Sequence, residues 1–238
     1  MAEGRGVELR IRSAVTELMV IVAGVLIALS ADQWWASRSD ALTEATYLTG
    51  MLDDLSASRD TLESDLRDIE AYLSAASALS HLSRDAPRIT RDSLVTLIHD
   101  ALFPLPTWDA QLSTLDDLKN TGRLSLISDT EIRRALAEID QRMSKVRAAE
   151  SDLLQSQHQT VDPFLMTRVD LPAIGLEEES APYMGPPLGI DHEPLLRDPQ
   201  FQNVVAFRIV LLYNVQRQYR SMSEQLSAVS ALIERKGG

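Results

Sequence analysis

Residues 41–76 read ALTEATYLTGMLDDLSASRDTLESDLRDIEAYLSAA, and this stretch decides the fold. Its apolar residues recur in alternating steps of four and three, with Arg59 filling the one seam position that is not apolar. A heptad pattern sustained over five repeats is typical of a coiled-coil or bundle helix. The pattern meets no proline before Pro87, so it predicts one long helix over about 36–80. The seam residues are Ala41, Ala45, Leu48, Leu52, Leu55, Leu62, Leu66, Ile69, Leu73 and Ala76.

Upstream of this stretch lies a run of twelve apolar residues, from Leu18 to Leu29. A helix needs about 20 residues to cross the hydrocarbon core of a bilayer, so the flanking residues decide what the run means. Three arginines precede it, and a tandem tryptophan pair follows it, as suits the headgroup region of a membrane. The sequence therefore predicts a transmembrane anchor over residues 13–35. The anchor residues that we single out are Leu18, Val22, Leu26, Leu29, Trp34 and Trp35.

Two other interpretations of the apolar run stay open. A basic start followed by a short apolar core also fits a cleaved signal peptide, with Ala28-Leu29-Ser30 as a tolerable cleavage site. Cleavage there would leave Trp34 and Trp35 near a new terminus with nothing to anchor, which favours the transmembrane interpretation. A soluble core helix is the second alternative, because Glu17 and Asp32 bound a stretch no longer than an ordinary buried helix.

Basic residues on the two sides of the anchor predict its orientation. Before the segment stand Arg5, Arg10 and Arg12, whereas only Arg38 follows it closely. Because Lys and Arg are enriched on the cytoplasmic side of membrane proteins, the N-terminus should face the cytoplasm. Residues 1–12 would then form a short cytoplasmic segment, and everything after about residue 36 would be periplasmic or extracellular.

Proline and glycine divide the next part of the chain, residues 36–162, into further helices. A short helix is predicted at about 91–102, and a second helix should begin with Thr107 as its N-cap and stop at Gly122, its C′ glycine. Ser128-Asp129-Thr130-Glu131 is a capping-box pattern that opens a long helix. That helix carries another four-three seam and should end at Pro163. Its seam residues are Ile132, Leu136, Ile139, Met143, Val146 and Leu153.

Residues 163–199 differ in kind, since they hold seven of the ten prolines, and they are predicted to form an extended loop. A final helix over 200–235 should start near Pro199. We therefore predict an all-α fold, in which the anchor runs into the long coiled-coil-like helix and this helix packs in a bundle with about four further helices. The seam of the last helix is Leu212, Val215, Tyr219, Met222, Leu226, Val229 and Ile233.

The composition excludes several classes of function. Among the 238 residues, 35 are acidic and 23 basic, and the net charge of −12 argues against a nucleic-acid partner, which would need a basic face. The absence of cysteine removes disulfides, thiol nucleophiles and cysteine-based metal sites. No histidine has a metal-ligand partner at a specific helical spacing, and no phosphate-binding or nucleophile motif occurs. We therefore predict no catalytic residue, no metal site, no cofactor and no enzymatic activity.

Glu17 and Trp108 are the two side chains for which a specific contact is predicted. A charge in or near a membrane is costly, so Glu17 should either reach back toward the preceding arginines or contact another subunit or membrane protein. Trp108 is expected at the first turn of its helix as an anchor between helices, with a ligand contact as the alternative.

Two stretches also carry recognisable motifs. The first is Glu17 to Leu29, with Gly24 ahead of Leu26-Ile27-Ala28-Leu29, followed by Asp32-Gln33-Trp34. The second runs from Thr107 to Arg133 and contains Leu118-Lys119-Asn120-Thr121-Gly122. Together and in this order they resemble an uncharacterised family of bacterial single-pass membrane proteins, a domain of unknown function. The resemblance implies a helical domain anchored in the bacterial inner membrane, and it implies no known reaction.

These observations lead to two hypotheses about function. The first is a membrane-anchored interaction or scaffold protein, whose anchor lies in the lipid bilayer and whose heptad faces contact a second copy or a membrane protein. The alternative is an extracytoplasmic ligand-sensing domain, with a small molecule bound between helices near Trp108 and the loop at 163–199. Only about a dozen residues precede the predicted anchor, so a partner protein would have to carry a signal inward.

Overall fold

The computed structural model describes the backbone of residues 3–85, 89–174 and 185–237. Side chains are described over the same ranges from residue 19 onward, except at residues 20, 83–85 and 237. These parts of the chain contain helices and connecting segments but no strand, which confirms the all-α prediction. Their α-helices are α1 (Glu3–Asp85), α2 (Arg91–Leu102), α3 (Ser113–Asn120), α4 (Thr130–Ser156), α5 (Asp162–Leu165), α6 (Leu171–Ile174) and α7 (Pro199–Gly237).

The first helix, α1, is continuous over 83 residues, or about 125 Å at 1.5 Å per residue. It contains both the apolar run and the heptad stretch, as the lack of proline predicts. Gly50 lies where α1 passes α3, and a Cβ added there would come within 3.2 Å of Thr114 Oγ1. The glycine therefore allows the two helices to approach closely.

An antiparallel bundle of α1, α4 and α7 forms the body of the molecule. Arg142 of α4 contacts Gln225 of α7, and Glu150 contacts Tyr219, so the residue numbers of the two helices run in opposite directions. Every predicted seam residue of α7 is buried, and so is every predicted seam residue of α4 except Met143, which is half-buried. The helical periodicity thus identified the inner faces of both helices. The bundle interior forms the first core cluster.

A second core cluster fills the end of the bundle where α7 begins. There α2, α5 and α6 pack against the last turns of α1 around Ala76 and Leu79. The predicted loop at 163–199 contributes to this cluster, because it contains α5, α6 and a 3₁₀ turn over Glu193–Arg197. Residues 175–184 of that loop lie outside the described part of the chain. The loop residues buried in the cluster are Phe164, Leu165, Val169, Ile174, Leu195 and Leu196.

The buried face of α1 follows the predicted heptad seam at Leu55, Leu62, Ile69 and Ala76, but it departs from the seam at other positions. Met51 and Ser58 are fully buried, whereas Leu52 and Arg59, one position later and assigned to the seam, are only half-buried. Ser58 tolerates burial because its hydroxyl accepts a hydrogen bond from the backbone N–H of Gln111. The prediction was wrong here because hydropathy alone assigns a serine to the surface.

The prediction of a helix starting at Thr107 was also wrong. Helix α3 begins at Ser113, and residues 104–112 are not helical. In a helix that begins at Thr107, the N–H of Gln111 would donate to the carbonyl of Thr107, but it donates to Ser58 of α1 instead. The N–H of Trp108 donates to Glu150 of α4, which holds the segment against a second helix. The end of the helix was predicted correctly, since Gly122 follows it with φ +69°, in the left-handed region.

The N-cap of α4 is Asp129 rather than the predicted Ser128. The Asp129 carboxylate accepts from the backbone N–H groups of Glu131 and Ile132. Ser128 instead donates both its N–H and its hydroxyl to Glu44 of α1, 84 residues away. A long-range contact therefore removes the serine from the local capping role.

Candidate functional site

The segment of α1 before the bundle is apolar and exposed. Its large apolar side chains over residues 19–29 range from 47% exposed at Val22 to 71% at Ile27. Successive residues of a helix are about 100° apart, so these seven side chains lie on every side of α1 rather than along one stripe. No packing partner covers them among the described residues. They are Met19, Ile21, Val22, Val25, Leu26, Ile27 and Leu29.

Three of the six predicted anchor residues fall within this exposed segment, namely Val22, Leu26 and Leu29. Trp34 and Trp35 follow it, both exposed, with their rings 6.1 Å apart in an edge-to-face arrangement. The predicted contact residue Glu17 and the predicted anchor residue Leu18 precede the residues whose side chains the structure describes. Within the described part of the chain, no helix carries an apolar stretch long enough to cross a bilayer.

Trp108 lies in a polar cluster inside the bundle. Its indole Nε1 donates to the carbonyl of Ser58 at 3.2 Å and lies 3.1 Å from Thr61 Oγ1, both on α1. Its backbone N–H donates to Glu150 Oε1 of α4 at 2.9 Å, and the same oxygen accepts from the hydroxyl of Tyr219 of α7. The structure thus places Trp108 between three helices, with its N–H groups used internally.

Burial shifts two ionisable groups near this cluster. It raises the pKa of Tyr219, and the hydrogen bond to Glu150 raises it further. Burial also raises the pKa of Asp65, and the neighbouring negative charges of Asp68 and Glu150 raise it further. Both directions favour the neutral form of the titrating group. The N–H groups of Trp108 and the hydroxyl of Tyr219 all donate within the protein, so the cluster stabilises the bundle.

A second polar cluster, the loop latch, joins Asp170, which precedes α6, to residues 188–192 later in the Pro-rich loop. The Asp170 carboxylate is fully buried and accepts from the consecutive backbone N–H groups of Leu188, Gly189 and Ile190 at 2.8–3.3 Å. The N–H of Asp170 in turn donates to Nε2 of His192 at 2.9 Å. Four hydrogen bonds therefore join residue 170 to residues 188–192.

The charge states of the loop latch follow from these contacts. Burial acts to raise the pKa of Asp170, but the N–H groups of residues 188–190 outweigh it and hold that pKa below its usual value. Burial lowers the pKa of His192. The negative charge of Asp170 acts to raise that pKa, and the positive charge of Arg91 lowers it further. His192 is therefore neutral at pH 7, as its role as an acceptor through Nε2 requires. Its Nδ1 has no hydrogen-bond partner among the described residues.

A buried cation joins α7 to the end of α4. Arg208 is 1% exposed, donates from Nη1 to Gln157 Oε1 at 3.0 Å, and donates from Nη2 to the carbonyl of Pro104. Gln157 opens a π-helical turn, Gln157–Val161, and donates to Asp162 at 2.7 Å. Burial lowers the pKa of Arg208 to about 10, although the negative charge of Asp162 acts to raise it. The π-helical turn thus places the amide of Gln157 between the guanidinium of Arg208 and the carboxylate of Asp162.

Several clefts open on the described surface, and two of them border elements described above. One, of about 450 Å³, lies between α1 and the end of α7 and is lined by Ala45, Leu48, Leu52 and Ile233. The other, of about 300 Å³, lies beside the loop latch and is lined by Arg91, Leu94, His192 and Glu193 among others. Within the described ranges, no group of three histidine or carboxylate side chains could hold a metal ion.

The sequence offered no signal for the loop latch or the Arg208 contacts. Each depends on partners separated by 18 or more residues in the chain, such as Asp170 with Leu188 and Arg208 with Gln157. A single buried Asp, His or Arg looks like any surface residue in the sequence. The family resemblance stays a prediction: no family model matches the chain, and neither a curated protein nor a solved structure matches it.

Proposed function

We propose that the protein is a membrane-anchored helical scaffold. α1 would hold it in the bacterial inner membrane, with the bundle on the periplasmic side. The observation that carries this proposal is the all-round apolar surface of α1 over residues 19–29, on a helix that continues into the bundle. A helix that is apolar on every side needs either a protein core or lipid around it. The proposed span also includes residues 13–18, which precede the described side chains.

The energetics of transfer favour a membrane environment for this segment. Moving one large apolar side chain from water into hydrocarbon is worth about 1.5–3 kcal/mol. Seven such side chains lie within residues 19–29, ahead of the two tryptophans that suit the headgroup region. The excess of arginines before the segment supports a cytoplasmic N-terminus.

A scaffold role is favoured over catalysis by the chemistry of the bundle. The buried polar groups around Glu150 and Asp170 take their hydrogen bonds from the protein itself. A catalytic site would need polar groups that converge on a cavity. The cluster around Glu150 is bonded within the bundle, whereas the loop latch borders the 300 Å³ cleft, so the Glu150 cluster favours a structural role, which on this proposal is to hold partners at the membrane surface.

Membrane retention tests this proposal. We expect the protein to stay with membranes after alkaline carbonate washing, because its apolar segment is embedded. The double variant Val22→Arg with Leu26→Arg should move to the supernatant, since each buried charge costs several kcal/mol, on the order of 3 kcal/mol or more at the centre of a span. Leu42→Arg with Ala71→Arg is the matched control, because both residues are exposed on α1 after the segment.

The control double variant should stay in the membrane fraction. Recovery of the unmodified protein in the supernatant would contradict the anchor. Equal loss of the two double variants would also contradict it, because the effect would then not depend on the apolar segment.

Ligand sensing is the second candidate function, and one observation favours it. The 300 Å³ cleft is open beside the loop latch and is lined by charged side chains, including Arg91. Trp108 does not line that cleft, and its N–H groups are bound within the bundle. A small molecule that raises the Tm of the protein, with the rise lost in Arg91→Ala, would support sensing. A molecule library without any such effect would count against it.

A further inference from the structure

The loop latch contains a buried histidine whose hydrogen bond exists only while the ring is neutral. His192 is 1% exposed, and its Nε2 accepts from the N–H of Asp170 at 2.9 Å. A protonated imidazole carries an N–H on both ring nitrogens and accepts no hydrogen bond. Protonation would therefore set two N–H donors against each other at Nε2. It would also leave a charged N–H at Nδ1, which has no partner among the described residues.

The charged groups that face His192 come from three parts of the structure. Asp170 stands before α6, Arg91 begins α2, and Asp191 and Glu193 flank the histidine in the loop. The Asp170 carboxylate attracts an imidazolium, but it already accepts from three backbone N–H groups and lies 3.4 Å from Nη2 of Arg91. Asp191 accepts from the N–H of Glu193. Burial and these charges together hold the pKa of His192 below its ordinary value, so an imidazolium is less stable in the latch than in water.

The segment that leads to His192 has few other attachments. The described hydrogen bonds that join residues 185–190 to the rest of the protein all end on the Asp170 carboxylate. Five of these six residues are exposed, so they bury little apolar surface that would hold them in place. On the other side of His192, Leu195 and Leu196 are buried in the second core cluster. Movement of the latch can therefore stop at residue 192 and leave the core intact.

The latch also forms one wall of the 300 Å³ cleft. Gly189 and His192 line the cleft on the loop side, together with the two acidic neighbours of the histidine. Ile89, Arg91 and Leu94 line it at the start of α2. Leu94 is only 3% exposed while the latch is closed. Displacement of residues 188–192 would therefore remove one wall and give solvent access to Leu94.

We propose that the loop latch is an acid-operated gate over this cleft. A proton from solvent binds Nε2 of His192, its hydrogen bond with Asp170 breaks, and the ring moves into water. Residues 188–190 lie within four residues of the histidine, so their bonds to the Asp170 carboxylate are lost as the segment moves away from α2. Deprotonation closes the gate again. The gate would operate whether or not α1 crosses a membrane, so it goes beyond the proposed function.

Hydrogen–deuterium exchange tests the release of the latch. The full-length protein in a mild detergent would be exchanged at about pH 7.5 and about pH 5, and each amide rate would be divided by its intrinsic rate at that pH. We expect the protection of Leu188, Gly189 and Ile190 to fall by about tenfold. About 30-fold is the ceiling that an open-state pKa near 6.5 sets at pH 5. Ile139 and Val215, in the first core cluster, should keep their protection.

Three results of this measurement would overturn the gate. The first is unchanged protection at the three latch amides. The second is an equal fall in the first core cluster, since the whole protein would then be unfolding. The third is a loss confined to the N–H of Asp170, because residues 188–190 would then still be held.

A histidine variant tests the origin of the release. His192→Gln should keep the same protection at both pH values, because its amide oxygen can accept from Asp170 but does not titrate. His81→Gln, exposed on α1, is the matched control and should behave like the unmodified protein. The two pH values are compared within each protein, so a difference in overall stability between the variants does not affect the result. Release that still follows pH in His192→Gln would overturn the proposal.

Thiol labelling tests the opening of the cleft. Leu94→Cys places a thiol in the cleft wall, and Thr96→Cys places one at an exposed position of the same helix. Both single-cysteine proteins would react with dithiodipyridine, which also labels thiols in acid. We expect the labelling rate of Leu94→Cys relative to Thr96→Cys to rise about tenfold from about pH 7.5 to about pH 5, and to stay constant once His192→Gln is added. A ratio that does not rise with His192 present would overturn the gate.

Discussion

Tyr219 shows how one hydroxyl contributes to the stability of the bundle. It is fully buried, and its hydroxyl donates to the Glu150 carboxylate that also accepts from the N–H of Trp108. We expect Tyr219→Phe to lower the free energy of unfolding by about 1–3 kcal/mol, because a hydrogen bond to a charged group is lost inside the protein. Urea unfolding followed by circular dichroism measures it.

Tyr213→Phe is the matched control for this substitution. Tyr213 is exposed on α7, so removal of its hydroxyl should change the free energy of unfolding by less than about 0.5 kcal/mol. Equal effects of the two substitutions would show that the hydrogen bond to Glu150 does not stabilise the bundle.

His192 should make stability depend on pH. Burial lowers the pKa of His192 in the folded protein, whereas an unfolded histidine titrates near pH 6.5. The unfolded state therefore binds more protons below about pH 6.5, and stability falls as the pH decreases from there toward the folded pKa. Asp170 and Arg91 are the neighbouring charges that set the folded value. The prediction is a Tm that declines below about pH 6.5.

His192→Gln isolates this contribution. The glutamine amide oxygen can accept the N–H of Asp170 in place of Nε2, but it does not titrate. We expect the variant to lose most of the decline in Tm between about pH 6.5 and pH 5. The other three histidines are unchanged and serve as the internal control. Parallel Tm curves for the two proteins would rule out His192 as the origin.

At the scale of the elements, the turn after α3 depends on a glycine. Gly122 has φ +69°, and a Cβ added there would meet nothing within 4 Å, so a larger residue would be strained by the backbone alone. We expect Gly122→Ala to destabilise the protein by about 1 kcal/mol and Gly122→Asn by less, since Asn tolerates this conformation better. Thermal unfolding of both variants checks this order. A reversed order would contradict the backbone explanation.

How far the sequence predicts an element depends on whether local or distant residues determine it. The α7 helix was predicted well because its start at Pro199 and its buried seam are both local patterns. The start of α3 and the cap of α4 were not, because Ser58 and Glu44, which are distant in the sequence, accept from the N–H groups of Gln111 and Ser128 that a local helix start would use. In the same way, Ser58 is buried because its hydroxyl accepts a hydrogen bond from Gln111, 53 residues away, which hydrophobic periodicity does not predict.

At the scale of the whole molecule, the apolar segment of α1 and the bundle are structurally separable. The core begins at Met51, and the exposed residues before Trp35 contact none of the described core side chains. We expect a variant that begins at residue 39 to fold with a Tm within about 2 °C of the full chain, since it loses no buried contact. Calorimetry checks this. A large drop in Tm would show that the segment stabilises the bundle.

The proposed anchor predicts that α1 crosses a membrane and divides the chain between two compartments. Because the chain has no cysteine, single-cysteine variants can report on each side. Gly6→Cys would report on the N-terminal segment and Gln155→Cys, at an exposed position of α4, on the bundle. With a membrane-impermeant thiol reagent on intact cells, we predict labelling of Gln155→Cys and protection of Gly6→Cys until the cells are lysed. Labelling of both variants, of neither, or of Gly6→Cys alone would contradict the account.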